Sequence, residues 1–231
     1  MWQFLPKFAT ELSDLVLARE CIGCEELGTL LCAPCRNKVS GRAHIMRDLR
    51  FDELAEDLRI PLAIAYRYGP PVDAMIYRYK DNQIPELASV LSMLLAGSIQ
   101  QLASSEPYGS QKPLLIPIPS RDASVRARGF DPMVLISRHL SRAGYPIAHW
   151  LIDQRTAGRS KTLGTADRKN ASYDAFRVRA IPDRYVRNPI PAIVIDDVAT
   201  SGTTFTAAVS QLLLSGVHVS GCAAIAGARK L

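Results

Sequence analysis

Ala192-Ile-Val-Ile-Asp196-Asp197-Val-Ala-Thr200-Ser201-Gly202-Thr203-Thr204 is the stretch whose reading decides the fold. Ala192 to Asp196 has the apolar run of a central, buried strand. It ends in two carboxylates, and a small hydroxyl-rich loop then opens a helix over Thr203 to Leu214, stopped by Gly216. In an open parallel sheet, ligands bind beyond the carboxyl ends of the strands. A helix N-terminus placed there offers an anion backbone N–H groups, hydroxyls and the favourable end of the helix dipole. Gly202 lets the backbone approach a phosphate closely, and the adjacent carboxylates can accept hydrogen bonds from a vicinal diol. One loop for a phosphate beside one pair for two hydroxyls describes a ribose 5-phosphate. Acidic residues also follow strands in receiver domains, so the Asp-Asp pair alone would be weak; the whole string is more specific.

Outward from this motif, strands and helices alternate. Leu114 to Pro119 reads as a short strand, Gly129 to Ala143 as a helix, Pro146 to Ile152 as a strand, and Val217 to Ala226 as a last strand. Upstream, Ile60 to Tyr68 reads as a strand broken by Gly69-Pro70-Pro71, followed by helices over Val72 to Lys80 and Pro85 to Leu102. Residues 42–59 are charged and helix-prone, and Ser104 to Pro113 reads as a loop. The alternation predicts an α/β fold with a parallel sheet flanked by helices and right-handed crossovers.

The 231 residues are 48% hydrophobic and 22% charged, which excludes global disorder and leaves room for one ordinary domain plus a small appendage. Two uncharged stretches, Leu87 to Ser105 and Val198 to Ala228 (apart from His218), have the length of a membrane span. Their many Ser, Gln, Thr and Gly residues instead predict buried elements of a cytoplasmic protein without a span. Lys7, Glu11 and Asp14 interrupt the apolar N-terminus, which therefore reads as an amphipathic helix and not as a signal peptide. The net charge of +6, from 28 Lys and Arg against 22 Asp and Glu, favours an anionic partner, either a phosphorylated metabolite or a nucleic acid. Basic residues concentrate in Arg121 to Arg128, Arg155 to Lys169 and Arg177 to Arg187.

Four of the five cysteines form Cys21-x2-Cys24-x7-Cys32-x2-Cys35. In a chain without an export signal, two C-x-x-C knuckles predict a tetrahedral Zn²⁺ site, with a redox pair or incidental buried thiols as the alternative. Gly23, Gly28 and Pro34 suit the turns. Four protein ligands leave no open position, so such a zinc is structural. Cys222, in an apolar run, reads as core. The predicted division is 1–59, comprising the N-terminal helix, the zinc ribbon and a helical connector, and 60–231, the α/β domain.

The segment from Ala192 to Thr204 resembles the signature of the type I phosphoribosyltransferases, which bind phosphoribosyl pyrophosphate (PRPP). The resemblance implies that Asp196 and Asp197 contact the ribose hydroxyls and that Thr200, Ser201, Gly202, Thr203 and Thr204 wrap the 5-phosphate. Leu114-Leu-Ile-Pro-Ile-Pro119 running into Ser120-Arg-Asp-Ala-Ser-Val-Arg126-Ala-Arg128-Gly129-Phe130 corresponds to the strand and loop that grip pyrophosphate, with Ser120, Arg121, Arg126 and Arg128 as contacts. Arginine's planar fork suits that anion. Together with the four-cysteine knuckle, the Tyr68-Gly69…Ile76…Lys80 segment and Arg155…Leu163…Arg168…Ala175-Phe176, nearly the whole chain resembles the ComF family of competence-associated proteins. The last segment resembles the family's long mobile loop, where Ser160 stands in place of a frequent Gln and Arg159 and Lys161 can reach pyrophosphate.

The family's chemistry, where it turns over, is displacement at C1 of PRPP. Mg²⁺ would be held at Asp196 and Asp197, directly or through water, and Arg128 would stabilise the leaving pyrophosphate. No motif in residues 36–110 names the acceptor. The resemblance also admits a non-catalytic protein on the same fold, one that senses PRPP or binds single-stranded DNA with the DNA-uptake machinery of natural transformation.

Overall fold

In the computed structural model, residues 20–40, 45–82, 84–105, 112–154, 175–187 and 190–228 are described. The expected N-terminal helix and the basic segment from Arg155 to Lys169 lie outside them. Five strands pair into one sheet: β1 (Ile45–Arg50), β2 (Arg59–Arg67), β3 (Leu114–Pro117), β6 (Ala192–Ala199) and β7 (Val219–Gly227). Their order is β1-β2-β7-β6-β3, and every pairing is parallel except that of β1 with β2. A separate antiparallel ribbon joins β4 (Leu151–Asp153) to β5 (Phe176–Val178).

Period-two alternation assigns each strand residue to one of two cores. Ile193, Ile195, Ala223 and Ile225 face one side, where helices α2 (Val72–Lys80), α3 (Ala88–Ser105) and α5 (Pro132–Arg142) pack. Ala192, Val194, Cys222 and Ala224 face the other, against α7 (Thr203–Leu214), Trp150 and Phe176. The sheet is thus covered on both faces, as parallel strands require. Cys222 is fully buried in β7, and burial pushes its thiol far above the ordinary range. The short helices α1 (Ala33–Ser40), α4 (Asp122–Arg128) and α6 (Asp183–Arg187) complete the described elements.

Helix α3, preceded by one 3-10 turn at Pro85–Leu87, is apolar enough for Pro85–Ser104 to match a membrane span by length and composition. Its apolar side is occupied by the sheet: Leu91, Leu95 and Ile99 are completely buried, and Ser98 Oγ donates to Ala224 O across 3.0 Å. Half of that window is buried inside the structure.

Several expectations are corrected. Within the expected helical connector at 42–59, the described residues from Ile45 onward are not helical. Ile45, Arg47 and Leu49 turn inward while Met46, Asp48 and Arg50 turn outward, so 45–50 is a strand on the sheet edge and 51–57 turn back to β2. Alternation outweighs the helical propensity of single charged residues. Pro146 to Ile152 is not a full strand of the sheet: Ile147 makes one parallel bridge to Leu115, and the chain then leaves for the β4–β5 ribbon.

Leu95→Ala, in the centre of α3, is expected to cost about 2–5 kcal/mol of unfolding free energy, as for other fully buried leucines. Urea denaturation followed by circular dichroism measures it; a loss below about 1 kcal/mol would contradict this packing.

Candidate functional site

The site begins where β3 ends. Pro117 is the last β3 residue paired with β6, opposite Ile195, while β6 continues beside β7 through Asp196↔Ala224, Val198↔Ala226 and Ala199↔Gly227. A crevice therefore opens over Asp196 and Asp197. The sequence places this pair at the end of the strand; it lies inside β6, because β7 extends to Gly227 and supplies the paired backbone.

The other wall is the chain after β3. Ile118 N–H donates to Ile195 O at 2.9 Å. Asp131, the N-cap of α5, pins the connection: its carboxylate accepts from Ser120 N–H at 3.2 Å, Ser120 Oγ at 3.3 Å and Met133 N–H at 2.9 Å. Asp131-Pro132 is a legible helix start, an N-cap followed by Pro at the first position, and its second role toward Ser120 was not. Residues 122–128 form helix α4 in place of the expected loop. Helical spacing then decides which basic residues reach the crevice. Arg121, Ser124 and Arg128, at i, i+3 and i+7, share one side and line it. Arg126 is not among the lining residues.

A third element was missed. Tyr79, at the end of α2, is fully buried, donates its hydroxyl to Pro132 O at 2.7 Å and lies 5.6 Å from the Phe130 ring. Its burial, together with the charges of Asp197 and Asp131, holds the phenol far above its ordinary range, so it remains a donor. The next residue, Lys80, reaches into the crevice and forms an ion pair with Asp197. The sequence marks Lys80 as the end of a segment resembling the family and as a basic residue suited to a helix end, but not as a crevice residue. Beside it, Arg128 pairs with Asp81 at 3.7 Å.

The Lys80–Asp197 pair is partly shielded, its side chains 24% and 8% exposed. Burial alone would lower the Lys80 ammonium, but the charge and hydrogen bond of Asp197, then the charge of Asp196, leave it above the ordinary lysine range. A group raised in this way contributes its stabilisation fully at neutral pH and loses it only as pH climbs through that raised value.

The crevice is open to solvent and holds a volume of about 170 Å³, below the roughly 300–1,000 Å³ typical of pockets for drug-sized apolar ligands. Lys80, Arg121 and Arg128 supply positive charge, Asp196 and Asp197 negative charge, and Ser120, Ser124 and Thr204 hydroxyls. Such a lining suits a compact polar anion bearing hydroxyl groups.

Of the residues singled out from the sequence, Ser120, Arg121, Arg128, Asp196, Asp197 and Thr204 therefore share one crevice. Thr200, Ser201, Gly202 and Thr203 form the adjoining turn at the start of α7, where the Ser201 and Thr203 hydroxyls lie 2.7 Å apart. Gly202 has φ +78°, and a Cβ there would meet Leu49 Cδ2 at 2.9 Å. Its lack of a side chain thus serves the backbone turn and the approach of β1. Arg159 and Lys161 lie outside the described residues.

At the other end of the chain, Cys21, Cys24, Cys32 and Cys35 place their four sulfurs within 4.8 Å of one another. Cys24 Sγ and Cys32 Sγ are 3.6 Å apart, close to the edge of about 3.8 Å that Zn–S bonds of about 2.3 Å give a tetrahedron. Cys32 N–H donates to Cys21 Sγ at 3.3 Å. Burial would push the Cys21 thiol up, but backbone donors from Cys32, Gly23 and Cys24 outweigh it and bring it to about 6. Cys35, crowded first by Cys32 and then by burial, is pushed up to about 12. Four thiolates at this spacing need a cation among them, and the cluster could bind a metal such as zinc. Gly23 has an unanticipated reason: its Cβ would stand 2.8 Å from Cys35 Sγ.

No protein-family model matches the chain, and no curated protein matches it.

Gly23→Ala is expected to displace Cys35 and lower metal affinity by tenfold or more. Competition with a chromophoric chelator measures it, and affinity equal to the wild type would contradict the cluster geometry. Acidification should weaken the same affinity, because protons compete for thiolates.

Proposed function

We propose that the protein is a ComF-type, phosphoribosyltransferase-like protein of the type I fold. Its crevice binds PRPP, and its four cysteines hold a structural zinc. One observation carries this reading: a carboxylate pair on β6 faces, across one crevice, a wall bearing Arg121, Arg128 and Ser120. Asp196 and Asp197 would accept hydrogen bonds from the ribose hydroxyls. The turn from Thr200 to Thr204 would take the 5-phosphate, using the N-terminal N–H groups of α7. Arg121 and Arg128 would take the pyrophosphate through charge-assisted contacts.

In the transfer reaction of this class, a nucleophilic nitrogen bonds to C1 as the C1–O bond breaks, and the electron pair leaves with pyrophosphate. Positive charge builds on the sugar and negative charge on the departing oxygens. The protein's contribution is therefore orientation and electrostatic complementarity, with no covalent nucleophile needed. The Mg²⁺ that the resemblance implies would travel with the pyrophosphate. Asp197 does not fit it as a resident ligand, since its carboxylate is already engaged by Lys80.

Among the described residues, none of those lining the crevice is aromatic. Single-strand binding ordinarily adds base stacking to charge, so this crevice favours a sugar phosphate over a DNA strand.

Calorimetric titration with PRPP tests the reading. Asp196→Ala with Asp197→Ala should abolish binding in a variant that retains its circular dichroism spectrum. Arg128→Ala should weaken binding by roughly tenfold to over a hundredfold, the loss of one charge-assisted contact of about 1.5–3 kcal/mol. Unchanged affinity in the double variant would overturn the reading. A screen of nitrogenous bases and amines for pyrophosphate release then separates an enzyme from a sensor.

A further inference from the structure

The acidic pair is not presented to the crevice as two bare charges. Lys80 is delivered to it by a built device: α2 ends on Tyr79, which is buried and hydrogen-bonded to Pro132 O, and this anchor fixes the neighbouring Lys80 with its ammonium on Asp197. Arg128, held by Asp81 from the same end of α2, stands beside it.

We propose that Lys80 supplies at Asp196 and Asp197 the positive charge that a divalent cation would otherwise supply, so that the crevice takes a phosphorylated anion without a protein-bound metal. Charge accounting supports this. Among the described residues, those lining the crevice carry three cations, Lys80, Arg121 and Arg128, against the two carboxylates, with Asp81 set against Arg128 beside them. Without Lys80 an incoming polyphosphate would meet the two carboxylates with one cation fewer to offset them. The pair is also shielded enough for its charge to be weakly screened. Lys80 is a positioning and charge-setting residue for the ligand. A divalent ion would have to displace its ammonium to reach Asp197.

The ligand named here rests on the PRPP reading above, so the test has two arms that fail separately. The zinc-loaded full-length protein and its Lys80→Met and Lys80→Arg variants are titrated with Mn²⁺ alone, by electron paramagnetic resonance, and with PRPP in buffer with and without Mg²⁺, by calorimetry. Lys80→Met should bind Mn²⁺ about tenfold or more tightly than the wild type, because no ammonium competes for Asp197. Lys80→Arg should stay as weak as the wild type. Wild-type protein should bind PRPP without Mg²⁺ within severalfold of its affinity with it, whereas Lys80→Met should need the metal. Equal Mn²⁺ affinity in Lys80→Met and the wild type would overturn the proposal, as would a strict Mg²⁺ requirement in the wild type. The wild-type arm decides even if Lys80→Met does not fold. Should PRPP bind to none of the proteins while the Mn²⁺ difference appears, the PRPP reading fails and the charge-setting role of Lys80 stands.

Discussion

The parallel pairing of β3 with β6, and its early end at Pro117 opposite Ile195, is the constraint on which the site depends. Because β6 stays paired to β7 beyond that point, its backbone is satisfied while its β3 side is vacated. The chain leaving β3 must then cross the crevice and turn into α4, which brings Arg121, Ser124 and Arg128 over the two carboxylates. Asp131 and Tyr79 fix this wall from behind, one on Ser120, the other on the carbonyl of Pro132. None of these supports touches the cavity, yet each sets where a lining residue stands.

Two other features follow from covering the sheet on both faces. On one face, Cys21, Cys32, Cys35 and Val39 join the same buried cluster as α2 and α3. The four-cysteine segment therefore packs on the fold as well as gathering its thiols at one point. Metal binding to such a cluster couples to folding, since the ligand set does not preform in an unfolded chain. On the other face, β1 lays Leu49 against Gly202. That contact links an edge strand to the turn that opens α7.

What could be read from the sequence follows from how local each signal is. The helix over Val72–Lys80 and the helix over Thr203–Leu214 have the expected bounds, because apolar spacing and flanking Gly or Pro are local. The cysteine cluster was legible for the same reason, its four residues lying within one short segment. The edge strand Ile45–Arg50 was not, since its charged residues mask an alternation that matters only once β2 is beside it. The helix Asp122–Arg128 was hidden behind its arginines, read for charge and not for period. Lys80 is the clearest case: its partner Asp197 is distant in the chain, and only the topology of the sheet brings the end of α2 to the middle of β6's free edge beyond Pro117.

Hydrogen exchange measured by mass spectrometry with and without PRPP tests the central claim most directly, that the end of β6 and the wall after β3 form one ligand crevice. Slowed exchange is predicted in three separate segments at once: Asp196 to Thr206, Ile118 to Arg128, and the last turn of α2 at Tyr77 to Asp81. No change in these segments at saturating PRPP, or protection confined to the β1 edge or the cysteine cluster, would contradict it.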